Sequence, residues 1–149
     1  SGVPALAGLI LHEEVAAGRI EHKLAFASRV NAYLEFVWPA LWTDGQIEGG
    51  IPEGALIQLD PTLDLDRLDL DQGGKVVARA LQEYGAVNVD NAGGNALYGE
   101  HLMAKPHLSW EGLLDPFSLK NVHVGHFRVL MLGEIHHGGM TRKPVGQPL

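Results

Sequence analysis

Three sets of residues in this sequence carry side chains able to move protons, hold a sugar or ligate a metal. The first is His22 with the Asp90–Asn91 pair. His22 falls among Ile20, Leu24 and Phe26 in the alternating run 19-RIEHKLAFA-27. An imidazole partly withdrawn from water can act as a general acid or base near neutral pH. Asp90 and Asn91 lie within 84-YGAVNVDNAGGNALYG-99, where a strand pattern runs out into paired glycines. A strand end of this kind can present a carboxylate and an amide to a ligand, and the small residues let that ligand approach the backbone. Each feature also has a purely structural explanation. A buried histidine can be held by one hydrogen bond, and Asp and Asn stabilise turns by bonding their own backbone.

The second set is aromatic and acidic. Trp38, Trp42 and Tyr33 flank 43-TDGQIEGGIPEG-54, a glycine-rich loop that contains Asp44 and Glu48. Flat apolar ring faces beside carboxylates suit a sugar-binding cleft, and paired carboxylates can cleave a glycosidic bond. The third set is His123, His126, His136 and His137. Neutral imidazoles are common zinc donors, so these four make zinc the alternative to a cofactor-free protein. The spacing argues against them, because side chains three apart on a strand point to opposite faces unless Gly125 introduces a bulge. The acidic run 60-DPTLDLDRLDLDQGG-74 contains a D-x-D-x-G fragment, but the position where a calcium loop needs its glutamate is Ala80. Leu63, Leu65, Leu68 and Leu70 read there as core anchors, and Asp71 as the acid that starts a helix. No nucleophile elbow, Walker loop or dinucleotide fingerprint is present.

The elements that must position these groups follow from periodicity. Residues 11–18 predict a short helix stopped by Gly18, and 19–27, 33–38 and 55–60 predict strands. Residues 74–84 give the clearest helix, with Val76, Val77, Ala80, Leu81 and Tyr84 on one stripe. A strand at 86–90 follows. Ser109 is placed to cap a short helix to Leu114, and 121–132 reads as one or two final strands. The fold class predicted is α+β and β-rich: a mainly antiparallel sheet or sandwich with two or three short helices. One domain spans 1–132, and 133–149 reads as a tail.

The 149 residues are enough for one domain with a real core. The net charge of −7 is uneven: residues 1–100 hold 15 acids against 6 bases, and the rest 3 against 5. Without clustered cations, nucleic acid is excluded as a partner. No apolar run is long enough for a membrane span. With no cysteine, disulfides and thiolate chemistry are excluded.

Several segments together resemble a known family: SGVPALAGLILHEEVAAGRIEHKLAFA, then FVWPA, TDG and IPEGALIQLDPTLDL, then VVARALQEYGAVNVDNAGG and HFRVL. They are similar to the C-terminal part of a family of exported or secreted, mostly bacterial proteins without an assigned activity. The resemblance covers most of residues 1–130. It implies an extracellular or periplasmic location. It also implies a strand-rich upstream part, supplied by another chain of the same precursor or replaced by a homo-oligomer contact, that would cover residues 1–10 and the strand at 20–26. His22, Asp90 and Asn91 match the family pattern. In 38-WPALW-42, Trp42 stands where relatives often have histidine, which puts any activity through that histidine in doubt here.

The leading expectation is therefore an extracytoplasmic carbohydrate-active or carbohydrate-binding protein, with polysaccharide or oligosaccharide as partner. His22 and Asp90 would be the catalytic groups, and Trp38, Trp42, Asp44 and Asn91 the binding groups, in a cleft at strand ends. The alternatives are a non-catalytic module of a surface assembly and a histidine-based metal enzyme. Whether the chain is an enzyme stays open at this level.

Overall fold

The apolar stripe at 76–84 produces the longest helix. In the computed structural model, which describes residues 1–130 and 133–139, α2 spans Gln72–Glu83. Its face of Val76, Val77, Ala80 and Leu81 is buried in a core with Leu24, Phe26, Ile57, Leu59 and Ala86. Burying a side chain such as Leu59 or Leu81 contributes about 1.5–3 kcal/mol each. Asp71 starts the helix: one carboxylate oxygen accepts from the Gly74 amide at 2.6 Å, and the other from the Ser118 hydroxyl at 2.6 Å. Asp71→Ala removes both the cap and the tie to the 110–118 segment. Urea unfolding should show a loss of about 1–2 kcal/mol, with an unchanged slope; a loss below a few tenths would show the cap to be redundant.

The other helix, α1, spans His12–Ala17 and ends at Gly18, whose φ of 81° is open to glycine without strain. Eight strands form two sheets. The first has the order β6-β1-β5-β4-β7 and the second β3-β2-β8. In chain order the strands are β1 (Leu24–Ser28), β2 (Asn31–Phe36), β3 (Ile51–Glu53), β4 (Leu56–Leu59), β5 (Ala86–Asn91), β6 (Ala96–Leu97), β7 (Phe127–Val129) and β8 (His136–His137). The β-rich mixture of helix and strand matches the sequence reading, and both sheets are mixed, with four of the six described strand pairings antiparallel. β1 pairs parallel with β5 and β2 parallel with β3, while the remaining pairings are antiparallel. The crossover from β1 to β5 runs through most of the domain, so no local spacing announces it.

Three further expectations change. No helix forms at 109–114; the segment is a series of turns in which the Ser109 hydroxyl accepts from the Glu111 amide. The run at 121–132 yields only β7 after a 3-10 turn at Val124–His126, and residues 131 and 132 lie outside the described residues. The segment read as a tail from 133 contributes β8, which pairs with Glu35 and Phe36 of β2; 140–149 lie outside the described residues. Of the face expected to be open, the strand at 24–28 is covered, whereas segment 1–10 itself is partly open, with Leu6 79% exposed. β1 is buried along its length, and the 3-10 turn Ala5–Gly8 lies directly on it, with no room for a Cβ at Gly8 against Ala25.

One irregularity in the first sheet decides where the polar groups point. The β1–β5 register runs Leu24–Ala86, Ala25–Val87, Phe26–Asn88, then skips to Ala27–Asp90. Val89 is the extra residue of a bulge, which re-aims the strand beyond it. Asn88 is therefore fully buried while Asp90, two residues later, is exposed.

Candidate carboxylate site between the two sheets

The polar centre of the molecule forms where β5 meets the second sheet. The Gly54 amide donates to the Asn88 carbonyl at 2.7 Å, and the Asn88 amide to the Ala55 carbonyl at 2.8 Å. This stitching brings three buried polar side chains together. Asn31 Nδ2 donates to Glu53 Oε1 at 3.0 Å and to the Asp90 carbonyl at 2.8 Å. Asn31 Oδ1 accepts from Asn88 Nδ2 at 2.9 Å, and that amide also reaches the Ile51 and Pro52 carbonyls. All three residues are without solvent exposure.

Asp44 arrives from the glycine-rich loop, which is pinned to β2. The Tyr33 amide donates to the Ile47 carbonyl and the Ile47 amide to the Asn31 carbonyl, at 2.9 and 3.0 Å. Thr43, also buried, donates to the Ala32 carbonyl and accepts from the Gly45 amide. At Gly45 a Cβ would lie 2.1 Å from the Ala32 carbonyl oxygen, so only glycine lets the loop lie this close.

As a result, Asp44, Glu53 and Asp90 each place an oxygen within 4.8 Å of the other two. Glu53 carries the largest consequence. Burial pushes its carboxyl up to about 7; the nearby Asp44 charge adds to this, while the Thr43 hydroxyl and the Ser1 amino group act the other way. Near neutral pH the group is divided between acid and carboxylate. Asp90 is held at the surface, where Oδ1 accepts from the Asn91 amide at 2.9 Å and Oδ2 from the Tyr98 hydroxyl at 3.2 Å. Burial and then the Asp90 charge raise the Tyr98 hydroxyl above its ordinary value. Asn91 Nδ2 reaches the Asp44 carbonyl at 3.4 Å. A polar hollow of about 440 Å³ opens beside these groups, lined by Arg29, Gln46, Ile47, Asn91, Ala92 and Gly93.

Of the residues singled out from sequence, the structure brings Asp44, Asp90 and Asn91 together. Trp38 and Trp42 lie on the loop leading into Asp44, with 76% and 39% of their surface exposed. His22 does not join them. β1 and β5 are parallel, so their starts share one edge of the sheet and their ends the other. His22 precedes β1 by two residues, and Asp90 pairs with Ala27. The strand from Leu24 to Ala27 alone puts about 10 Å between the two ends. His22 instead bonds Glu14 through Nε2 at 3.1 Å and the Lys23 carbonyl through Nδ1 at 2.9 Å. Partial burial works to lower its pKa, but those two hydrogen bonds and the Glu14 charge outweigh it and raise the value. The catalytic pairing of His22 with Asp90 is thereby corrected.

The histidine metal centre is corrected too. The His123 amide donates to His126 Nδ1, closing a local turn. His136 lies in β8 beside the Phe36 ring. Among the described residues these four do not assemble into a group of three ligands; Asp44, Glu53 and Asp90 do. The acidic run 60–71 behaves as turn chemistry, with Asp60, Asp64 and Asp71 each accepting from a backbone amide two or three residues on. A larger cavity, about 1020 Å³, lies elsewhere, under the 110–129 segment. Residues such as Ile57, Val77, Leu81, Trp110 and Leu114 line it, and it contains none of the clustered carboxylates.

Sequence reasoning missed Asn31, Glu53 and the burial of Asn88. A signal existed for Glu53: an acid between Pro52 and Gly54, directly before an apolar strand, has to sit close to that strand's buried entry. No family model, curated protein or solved structure matches the chain.

Proposed function

We propose that this chain is an extracytoplasmic carbohydrate-binding protein whose ligand spans the exposed Trp38–Trp42 loop and the Asp44–Asp90–Asn91 edge. The observation that carries this reading is that one short segment, 38–44, bears two exposed indoles and ends in the carboxylate delivered to the cluster. Large exposed rings beside acceptor groups suit a ligand with apolar sugar faces and many hydroxyls. Binding is favoured over hydrolysis. Glu53, the carboxyl poised near neutrality, has no exposure and cannot touch a substrate, and His22 lies at the opposite sheet edge. The extracytoplasmic location rests on the sequence resemblance alone.

A second reading has its own observation. Trp38, Leu41 and Trp42 form an exposed apolar run, which would equally serve as a contact surface of a non-catalytic module in a larger assembly. A panel of soluble polysaccharides, assayed by affinity electrophoresis, separates the two. Retardation by at least one polymer is expected, weakened about tenfold or more by Trp38→Ala or Trp42→Ala, in line with about 1.4 kcal/mol per lost stacking contact. Retardation unchanged by both substitutions, or by none of the polymers, would leave the contact-surface reading in its place.

A further inference from the structure

Gathering three carboxylates at a sheet junction is electrostatically costly, and the hydrogen bonds around them do not remove that cost. Glu53 Oε2, Asp44 Oδ1 and Asn88 Oδ1 are buried oxygens with no hydrogen-bond partner among the described residues. Leaving such an acceptor unmet is costly, and more so when it is charged. Glu53 and Asn88 have no solvent exposure at all, so bulk water does not supply what is missing.

We propose that Asp44, Glu53 and Asp90 bind one calcium ion. The donor set is oxygen only, which selects hard cations over zinc or copper. Calcium is favoured over magnesium because magnesium gives up its waters reluctantly and keeps several of them, whereas Glu53 has no solvent exposure. Asn31 fixes the orientation of Glu53 by donating to Oε1, leaving Oε2 free to ligate. Asn91 and Tyr98 hold both oxygens of Asp90 from outside. These second contacts are what a metal site needs to hold its ligands in place. The site shares Asp44 and Asp90 with the sugar reading, but calcium uptake is measured without any sugar and is tested independently of that reading.

The test uses the full chain after chelator treatment, titrated with calcium chloride by isothermal calorimetry at pH 8. Magnesium chloride and zinc chloride form separate arms. One calcium per chain is expected. Asp90→Asn and Asp44→Asn should each weaken it by at least about tenfold. Asp90 is exposed, so Asp90→Asn keeps the fold, which circular dichroism checks. No calcium uptake up to about 10 mM at pH 8, beyond the millimolar range of weak calcium modules, overturns the proposal. So does calcium uptake that both substitutions leave unchanged, and so does tighter binding of magnesium or zinc to the same carboxylates.

Discussion

Glu53→Gln is expected to make the protein more stable at pH 8 than the native chain, and to leave it nearly unchanged at pH 5. In the folded protein Glu53 holds its proton up to about 7, against an ordinary value of 4.5. Between those values the native state binds a proton that the unfolded chain has released. Stability therefore falls as the pH rises through this window: Glu53 costs nothing below about 4.5 and its full penalty above about 7. The separation between the two values corresponds to about 3 kcal/mol. Glutamine keeps the oxygen that accepts from Asn31 and removes the charge, so the penalty disappears. Urea unfolding in the presence of chelator, at pH 5 and pH 8, reads it as a pH-dependent midpoint in the native chain that flattens in the variant. Equal pH slopes for the two proteins would mean that Glu53 is already ionised when buried, and the electrostatic account of the site would fail.

Gly54→Ala is the second substitution with a large expected effect. Gly54 has a φ of +87°, and a Cβ there would lie 1.8 Å from the Val37 carbonyl oxygen. A left-handed alanine costs about 1–2 kcal/mol, and forcing backbone apart in a filled region adds about 1–3 kcal/mol. The combined loss should be about 3–4 kcal/mol. Because Gly54 follows Glu53 and donates to the Asn88 carbonyl, the displacement also loosens the carboxylate cluster. Gly49→Ala is the matched control, with a φ of +69° and nothing within 4 Å of the added carbon. It should cost only about 1–2 kcal/mol, the strain alone. Equal losses for the two variants would show that the close approach to Val37 carries no energy.

What could be read from sequence was what depends on neighbours in the chain. The α2 stripe, the Gly18 stop, the Asp71 cap and the β5 strand all follow from spacing and local side-chain chemistry, and each is present. Asp90, Asn91 and Asp44 were recognisable because polar groups beside glycines at strand ends tend to face outward. Legibility ended where chain-distant partners decide. The parallel register of β1 with β5 sent His22 to the wrong edge, although its strand was anticipated. The bulge at Val89 separated Asn88 from Asp90 in burial, although residues two apart on a regular strand share a face. Asn31 and Glu53 are ordinary surface residue types. Only contact with each other and with Asn88 makes them interior, and composition cannot reveal that.

The pairing of β8 with β2 bears on how the molecule avoids its own copies. β3 flanks one side of β2 and β8 the other, and the Gly138 amide caps the Leu34 carbonyl at 3.0 Å. Two residues of strand thus act as a cover over a row of backbone donors and acceptors that would otherwise template growth by a neighbouring molecule. Proteolytic nicking just before His136 and His137 is expected to uncover the Glu35–Phe36 end of that row and raise the tendency to associate.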